Sequence, residues 1–279
     1  MVDYHPGLEG VIATESSISD INGEKGILSY RGYSIEELAE KSTFEETAFL
    51  LLTGELPTPD ELTKFTKQIN ARRDLPSGMI DLLKTLPKES NPMDVIQLAV
   101  SSLGTFYPVS FDAEDLKAKK YTKDYYIEVS AGILGSIGSI VAAWNRIKNN
   151  KDYIKPDSNL SYADNFMHML DDSIEVTPLI SRIIDATLIL HAEHTINAST
   201  FTSMVTSSTL ASPTQVIASA IGSLSGPLHG GANQKVILML EEMGSKDNAR
   251  AWLEERLSRK QVVWGMGHRE YSTKDPRAN

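Results

Sequence analysis

The sequence predicts an all-α protein: a large helical domain followed by the start of a smaller helical one, with a small β-hairpin near the N-terminus. Three observations predict it. Helix-start signals recur before residue 95, each a Ser, Thr or Asn followed by a first-turn Pro or by a Glu three residues on. From residue 125 to residue 259, apolar residues repeat at a helical period rather than by alternation. A glycine cluster at 226–231 interrupts that pattern, and the domain boundary is placed there, with 1–229 as the large domain and 230–279 as the start of the small one.

Taken in order, residues 18–30 carry Asn22-Gly23 between short runs containing Ile18, Ile21, Ile27 and Leu28, which reads as a hairpin and the only sheet. Ser34 stands three residues before Glu37 and Thr43 three before Glu46, each matching a capping box, and Gly54 stops the second helix. Thr58-Pro59-Asp60-Glu61 and Asn91-Pro92-Met93-Asp94 each supply a cap, a first-turn proline and an acid, which brings the helix starts before residue 95 to four. Helical periodicity then covers 125–147, 162–170, 179–190, 201–208, 214–224, 236–243 and 249–259. In the first of these, Gly132, Gly135 and Gly138, with Ser139 and Ala142, form a smooth face suited to close approach of another helix.

Composition narrows the function. Asp and Glu number 37 against 27 Lys and Arg, and the formal charge of -10 argues against nucleic acid or an anionic membrane as partner. An anionic substrate would then need a locally basic pocket. The absence of cysteine excludes disulfides, thiolate nucleophiles and cysteine-ligated metals, and fits a cytoplasmic protein. The start, Met1-Val2-Asp3-Tyr4-His5-Pro6, has no basic segment followed by an apolar one, so no secretory signal is expected. The most apolar run, 131–144, is short and rich in Gly and Ser, so no membrane span is expected either.

Three stretches could carry chemistry. In 225–234 (SGPLHGGANQ), His229 sits on a glycine-rich turn at the mouth of a helix. The positive end of a helix dipole favours a neutral imidazole there, able to donate a hydrogen bond to a carbonyl that gains negative charge. A histidine that merely caps the turn is the alternative, and the turn alone leaves both open. In His191-Ala192-Glu193-His194, followed by Asn197 and Ser199, two imidazoles and a carboxylate fall close together, but the spacing is not H-E-x-x-H and no further ligand stands out, so no metal site is expected. Local packing and hydrogen bonding is the plainer reading. In 262–271 (VVWGMGHREY), two glycines just before His268 suggest backbone that approaches a ligand closely, and Arg277 downstream offers a planar cation suited to a carboxylate. The set suits a carbonyl or carboxylate substrate.

In chain order, H-A-E-H-x-x-N-A-S at 191–199, G-P-L-H-G-G-A-N at 226–233 and G-x-G-H-R at 265–269 leading into D-P-R-A at 275–278 resemble the motifs of the citrate synthase family. Residues 26–33 (GILSYRGY) resemble that family's N-terminal signature. The resemblance implies an acyltransferase of the tricarboxylic acid cycle that condenses acetyl-CoA with oxaloacetate and water to give citrate and CoA. It implies no metal and no other cofactor, since coenzyme A enters as the thioester substrate. His229 matches the histidine that hydrogen-bonds the thioester carbonyl during enolisation, and His268 the one that polarises the oxaloacetate carbonyl. His194 and Arg277 match oxaloacetate ligands. Val262, Val263, Gly265, Met266 and Gly267 match backbone that cradles coenzyme A, with Leu228 beside the thioester. The family further implies a homodimer or an assembly of dimers, to which the Gly132, Gly135 and Gly138 face would lend itself, although that face could equally pack within the chain. A 2-methylcitrate synthase using propionyl-CoA is the nearest alternative. The family's catalytic aspartate and further substrate arginines lie beyond D-P-R-A and so beyond Asn279, which is why an inert helical assembly subunit is carried as a third reading.

Overall fold

The computed structural model describes residues 5, 11–12, 14–108, 121–268 and 270–279. The readings made on residues 1–6, His5 apart, and on Arg269 lie outside the described residues. Among those described, twelve α-helices surround one small sheet. Strands β1 (Ser19–Asn22) and β2 (Ile27–Tyr30) pair antiparallel, with Ser19 opposite Tyr30 and Asn22 opposite Ile27. The connection is therefore a four-residue turn, 23–26, and not a two-residue Asn-Gly turn. Asn22 shapes it by accepting a hydrogen bond from the Lys25 amide at 3.0 Å, and Gly26 closes it at a φ of +64°. A third strand, β3 (Tyr33–Ser34), pairs with β2; two residues are too few for alternation to show in sequence.

Ser34 then caps α1 (Ile35–Lys41), but its capping box is half made, because Glu37 pairs with Lys41 at 3.1 Å. The boxes at α2 (Phe44–Thr53) and α3 (Pro59–Asn70) are complete, and Gly54 ends α2 in the left-handed region at a φ of 101°. Before α5 (Pro92–Phe106) the structure adds α4 (Ser77–Thr85), making five helices there where four were expected. Pro76 precedes α4 and no side chain caps it, so its start carries no signal. The remaining helices are α6 (Lys123–Lys148), α7 (Tyr162–Leu170), α8 (Pro178–Leu190), α9 (Ala198–Ser207), α10 (Pro213–Leu224), α11 (Gly231–Met243) and α12 (Ala249–Ser258). Two, α9 and α11, begin three or more residues earlier than periodicity suggested. Asn197 caps α9 by accepting from the Thr200 amide, and the first turns of α11 are polar, so neither start shows an apolar repeat.

Two buried clusters form the interior. One joins α4, α5, α6 and α10 through Met79, Leu83, Val100, Leu103, Ile140, Trp144 and Ile221. The other packs the hairpin against α1, α2, α3 and α8 through Leu28, Tyr30, Ile35, Leu50, Phe65 and Ile189. The long helix α6 serves both. At 26 residues and a mean hydropathy of 1.5 it is long and apolar enough to cross a bilayer, yet Ala131, Gly135, Ile140, Ala143 and Trp144 are buried against the protein, as in a central core helix. Its glycine face is occupied within the chain: a Cβ at Gly135 would lie 2.2 Å from the Ile69 carbonyl oxygen of α3, and one at Gly138 would lie 3.1 Å from the Tyr162 hydroxyl of α7. Of the two uses open to that face, the structure shows the one within the chain. After residue 230 burial thins, with Met239 and Tyr271 buried while Ile237, Leu238 and Leu240 of α11 are exposed.

Gly135→Ala should destabilise the fold by ~1–3 kcal/mol, since the added methyl meets rigid backbone. Gly132→Ala should cost less, because its Cβ would meet the flexible Arg72 side chain at 3.1 Å. Urea denaturation of the two variants, compared at equal m-values, checks the order.

Candidate active site

His194 lies in the turn after α8. His191 ends that helix, its Nδ1 against the Thr187 carbonyl at 2.8 Å, which is the local role expected of one histidine in the pair. The turn is braced from the hairpin. The buried Tyr30 hydroxyl accepts from the Glu193 amide at 3.2 Å and donates to the Glu193 and Ile189 carbonyls at 2.9 and 3.2 Å. Ser19 donates to Glu193 Oε1 at 3.0 Å and accepts from the Thr195 amide at 3.1 Å. Thr195 adopts a φ of 59°, a left-handed conformation unusual for a β-branched residue, and costs about 1–3 kcal/mol that these bonds offset. Glu193 therefore faces Ser19 rather than the two histidines.

The C-terminal segment comes back to meet this turn. His194 Nε2 lies 3.1 Å from the Tyr271 hydroxyl, and the His194 and His268 rings stack edge to face with centroids 5.1 Å apart. The His268 and Tyr271 centroids are also 5.1 Å apart, and the Arg277 guanidinium carbon is 6.0 Å from the Tyr271 ring. Asp275 caps the 3-10 turn Pro276–Ala278 and grips Arg277 in a fork, Nε at 3.0 Å and Nη2 at 2.6 Å. Burial, aided by Arg277 and His268, holds the His194 pKa down at about 4, so this imidazole is neutral at pH 7. Burial likewise raises the Tyr271 pKa, with Asp275 adding to the effect, and keeps its hydroxyl protonated. Burial works against charge on Asp275 and Arg277 too, but their mutual hydrogen bonds prevail, so the Asp275 pKa is lowered and that of Arg277 raised. For His268 the tautomer follows from geometry. Its Nδ1 accepts from the Glu270 amide at 3.1 Å, so in the neutral ring the proton sits on Nε2 and is available as a donor.

His229 stands just before Gly230, the N-cap of α11, on a turn that folds against the end of α10. Its amide bonds the Gly226 carbonyl at 3.0 Å and the Gly230 amide bonds the Leu224 carbonyl at 2.9 Å. A Cβ at Gly230 would lie 2.4 Å from that Leu224 oxygen, so the turn requires glycine. Gly231, expected to lie in the turn, is instead the first helical residue. His229 Nε2 is 3.0 Å from Ser199 Oγ, and Ser199 is 2.7 Å from Asn197 Oδ1. Ser199 donates to Asn197 Oδ1 in the first arrangement open to it, the one the structure holds; in the second its hydroxyl turns to give the proton to His229 Nε2. Only the second arrangement leaves the neutral ring with its proton on Nδ1 for a substrate.

The loop 262–267 lies along α11. Lys235 Nζ stands 4.0 Å over the Trp264 ring, and a Cβ at Gly265 would lie 3.4 Å from a Val236 methyl. Arg256 of α12 donates to the Val262 carbonyl at 3.2 Å while paired with Glu242 at 2.6 Å. Gly265 and Gly267 take φ values of 85° and 81°, which explains the two glycines by conformation. Val262, Met266 and Leu228 are exposed, whereas Val263 is partly buried. The structure thus gathers His194, His268 and Arg277 into one cluster and sets His229 and the loop at the start of α11. Tyr271 was not singled out from sequence, although its place three residues after His268 was a signal. A cavity of about 840 Å³, lined by Glu45, Asp164, His168, Asp172, Arg182 and Asp185, involves none of these residues.

Residues 7–279 match the family model for the citrate synthase C-terminal domain. The chain belongs to the citrate synthase family. It is 46% identical over 277 residues to the citrate synthase of Acidithiobacillus ferridurans, covering 99% of this chain and 70% of that protein. It is 38% identical over 275 residues to 2-methylcitrate synthase 1 of Corynebacterium glutamicum, covering 97% of this chain and 70% of that protein. Among solved structures it is similar to the citrate synthase of the archaeon Thermoplasma acidophilum in ternary complex with carboxymethyl coenzyme A and oxaloacetate. That likeness has a TM-score of 0.86 at 30% identity, and covers 99% of this chain and 70% of that one. Membership of the citrate synthase family makes the chain an acyltransferase-type enzyme.

His194 ordinarily titrates at 6.5 and is held at about 4 in the fold, so between those values the unfolded chain binds a proton that the folded chain refuses. Its contribution to stability is therefore lost as pH falls through that window. In His194→Gln the fall in melting temperature from pH 7 to pH 4 should be smaller than in the parent chain. Equal falls in differential scanning calorimetry would show that His194 does not titrate as its surroundings require.

Proposed function

We propose that the chain acts as a citrate synthase, joining the acetyl group of acetyl-CoA to oxaloacetate and releasing citrate and CoA after hydrolysis of the thioester. The observation that carries this reading is the meeting of His194 with His268 and Arg277, which stand far along the chain from it, about the Tyr271 ring. Arg277 and neutral His194 would hold the keto acid, and His268 would donate from Nε2 to its ketone oxygen, favouring the alkoxide that forms on attack. His229 would donate from Nδ1 to the thioester carbonyl as the enolate forms, once Ser199 turns its proton from Asn197 Oδ1 to His229 Nε2. The methyl proton would go to the aspartate that the family carries beyond D-P-R-A. The left-handed glycines at 265 and 267 would bring backbone amides close to coenzyme A.

No metal or redox step enters this reading, since both transition states concentrate charge on oxygens that imidazole donors can serve. A homodimer or assembly of dimers in the cytoplasm belongs to the same proposal, and light scattering that found only monomer would remove the oligomeric part.

CoA release is followed with acetyl-CoA and propionyl-CoA, in a polypeptide continued through the family's aspartate. A clear preference for propionyl-CoA would reassign the chain as a 2-methylcitrate synthase, and no release with either would favour the inert subunit. His229→Ala should lower turnover about 10²- to 10³-fold, as loss of a donor to developing charge does elsewhere. Its oxaloacetate affinity by calorimetry should stay near that of the parent, because a loss confined to the transition state spares ground-state binding. Affinity lost in parallel with rate would refute that role.

A further inference from the structure

We propose that the N-terminal hairpin is the positioning element of the keto-acid cluster: its open end fixes the backbone on both sides of His194, and its turn fixes the backbone on both sides of Tyr271. At the open end, the cross-strand partners Ser19 and Tyr30 act together. Tyr30 holds the amide and carbonyl of Glu193, and Ser19 holds the amide of Thr195, so the residues before and after His194 are both tied to the sheet. At the turn, the Gly23 carbonyl accepts from the Ser272 amide at 3.0 Å. A Cβ at Gly23 would lie 1.7 Å from the Glu270 carbonyl oxygen, and one at Gly26 would lie 2.7 Å from the Lys274 carbonyl oxygen. The C-terminal segment is thus seated on glycine backbone.

Both seats belong to one rigid body. Leu28 and Tyr30 are fully buried in the core cluster that includes α1, α2 and α8, so neither end of the hairpin can shift alone. Residues far apart in sequence are brought together by a piece about 10–13 Å long, at ~3.4 Å per residue. Ser19, Gly23, Gly26 and Tyr30 touch no reacting atom in this scheme; they are positioning residues. Their consequence for catalysis rests on the reading of His194, His268 and Arg277 as keto-acid ligands, whereas the positioning itself is testable without substrate.

The test uses the 279-residue chain. Proton NMR follows the His194 imidazole, assigned by its loss in His194→Gln, while pH is varied. Arg277, His268, Asp275, Glu270 and Tyr271 are the charged or titratable groups that face it. Gly23→Ala displaces the seat of Tyr271, Tyr30→Phe keeps the core volume but removes the hydroxyl, and Ser19→Ala removes a partly buried hydroxyl without touching the core. Each variant, shown folded by circular dichroism, should raise the His194 midpoint by about one unit or more from its value near 4, as burial and the neighbouring cations are withdrawn. Ser19→Thr, which keeps the hydroxyl, should restore it. Folded Gly23→Ala and Ser19→Ala variants whose His194 midpoint stays in place would overturn the proposal. Calorimetry with oxaloacetate separates the two ideas. A shifted midpoint together with an affinity about tenfold weaker than the parent's supports both, and a shifted midpoint in a chain whose parent binds no oxaloacetate supports the hairpin's role while removing the ligand reading.

Discussion

A buried phenol cannot be left without hydrogen-bond partners, and Tyr30 meets that constraint with the backbone of Glu193 and Ile189. Burial pushes its pKa up to about 12, so it remains a protonated donor across the whole range in which the protein works. The end of α8 and the turn after it can then lie only where that hydroxyl is satisfied. The position of His194, and with it the contact to Tyr271 and His268, follows from a core residue rather than from the surface loop in which His194 stands. This is how a site on loops obtains the precision of a site on rigid elements.

Electrostatics follow from the same burial. A chain with a formal charge of -10 repels anions at long range, so a keto acid would have to be recognised by groups at close quarters. The cluster supplies one full cation, Arg277, whose charge is balanced by Asp275, and a neutral imidazole, His194, that acts as a dipole. The edge-to-face arrangement of His194 and His268 discourages two positive rings side by side, and Arg277 discourages them further. A neutral His194 beside a fixed cation gives directional hydrogen bonding without a second charge to desolvate.

Much of this was legible in the sequence because local chemistry and the fold agree. Thr43 with Glu46 and Thr58 with Glu61 announced helix starts through the hydrogen bonds that the structure contains, and Gly54 announced a helix end through a conformation that other residues avoid. Helix α4 escaped because it begins without a side-chain cap, and the start of α11 escaped because its first turns are polar. The glycines of α6 were read as a close-contact face, but sequence could not say whose helix made the contact; α3 and α7 do. For the site, the histidines were visible as unusual residues among glycines. The partners that hold them were less so, since Ser19 and Tyr30 meet the His194 turn only when residues over 150 positions apart are brought together, and Tyr271 meets His194 across 77 positions.

The stretch from His194 to Ser199 ties the two halves of the candidate site to each other. His194 faces the keto-acid cluster, and Ser199, in the first turn of α9, faces His229. Between them the chain has little freedom: Thr195 is pinned to Ser19, and Asn197 is the cap of α9 while also bonding Ser199. A condensation between two carbon centres needs the donor that makes the enolate and the donors that orient its target to be placed relative to one another within a fraction of an ångström to about one ångström. Two flexible loops could not supply that. A six-residue link anchored in its interior by a strand, and at one end by a helix cap, can transmit the position of the keto-acid cluster to His229 without any contact between the two groups of histidines.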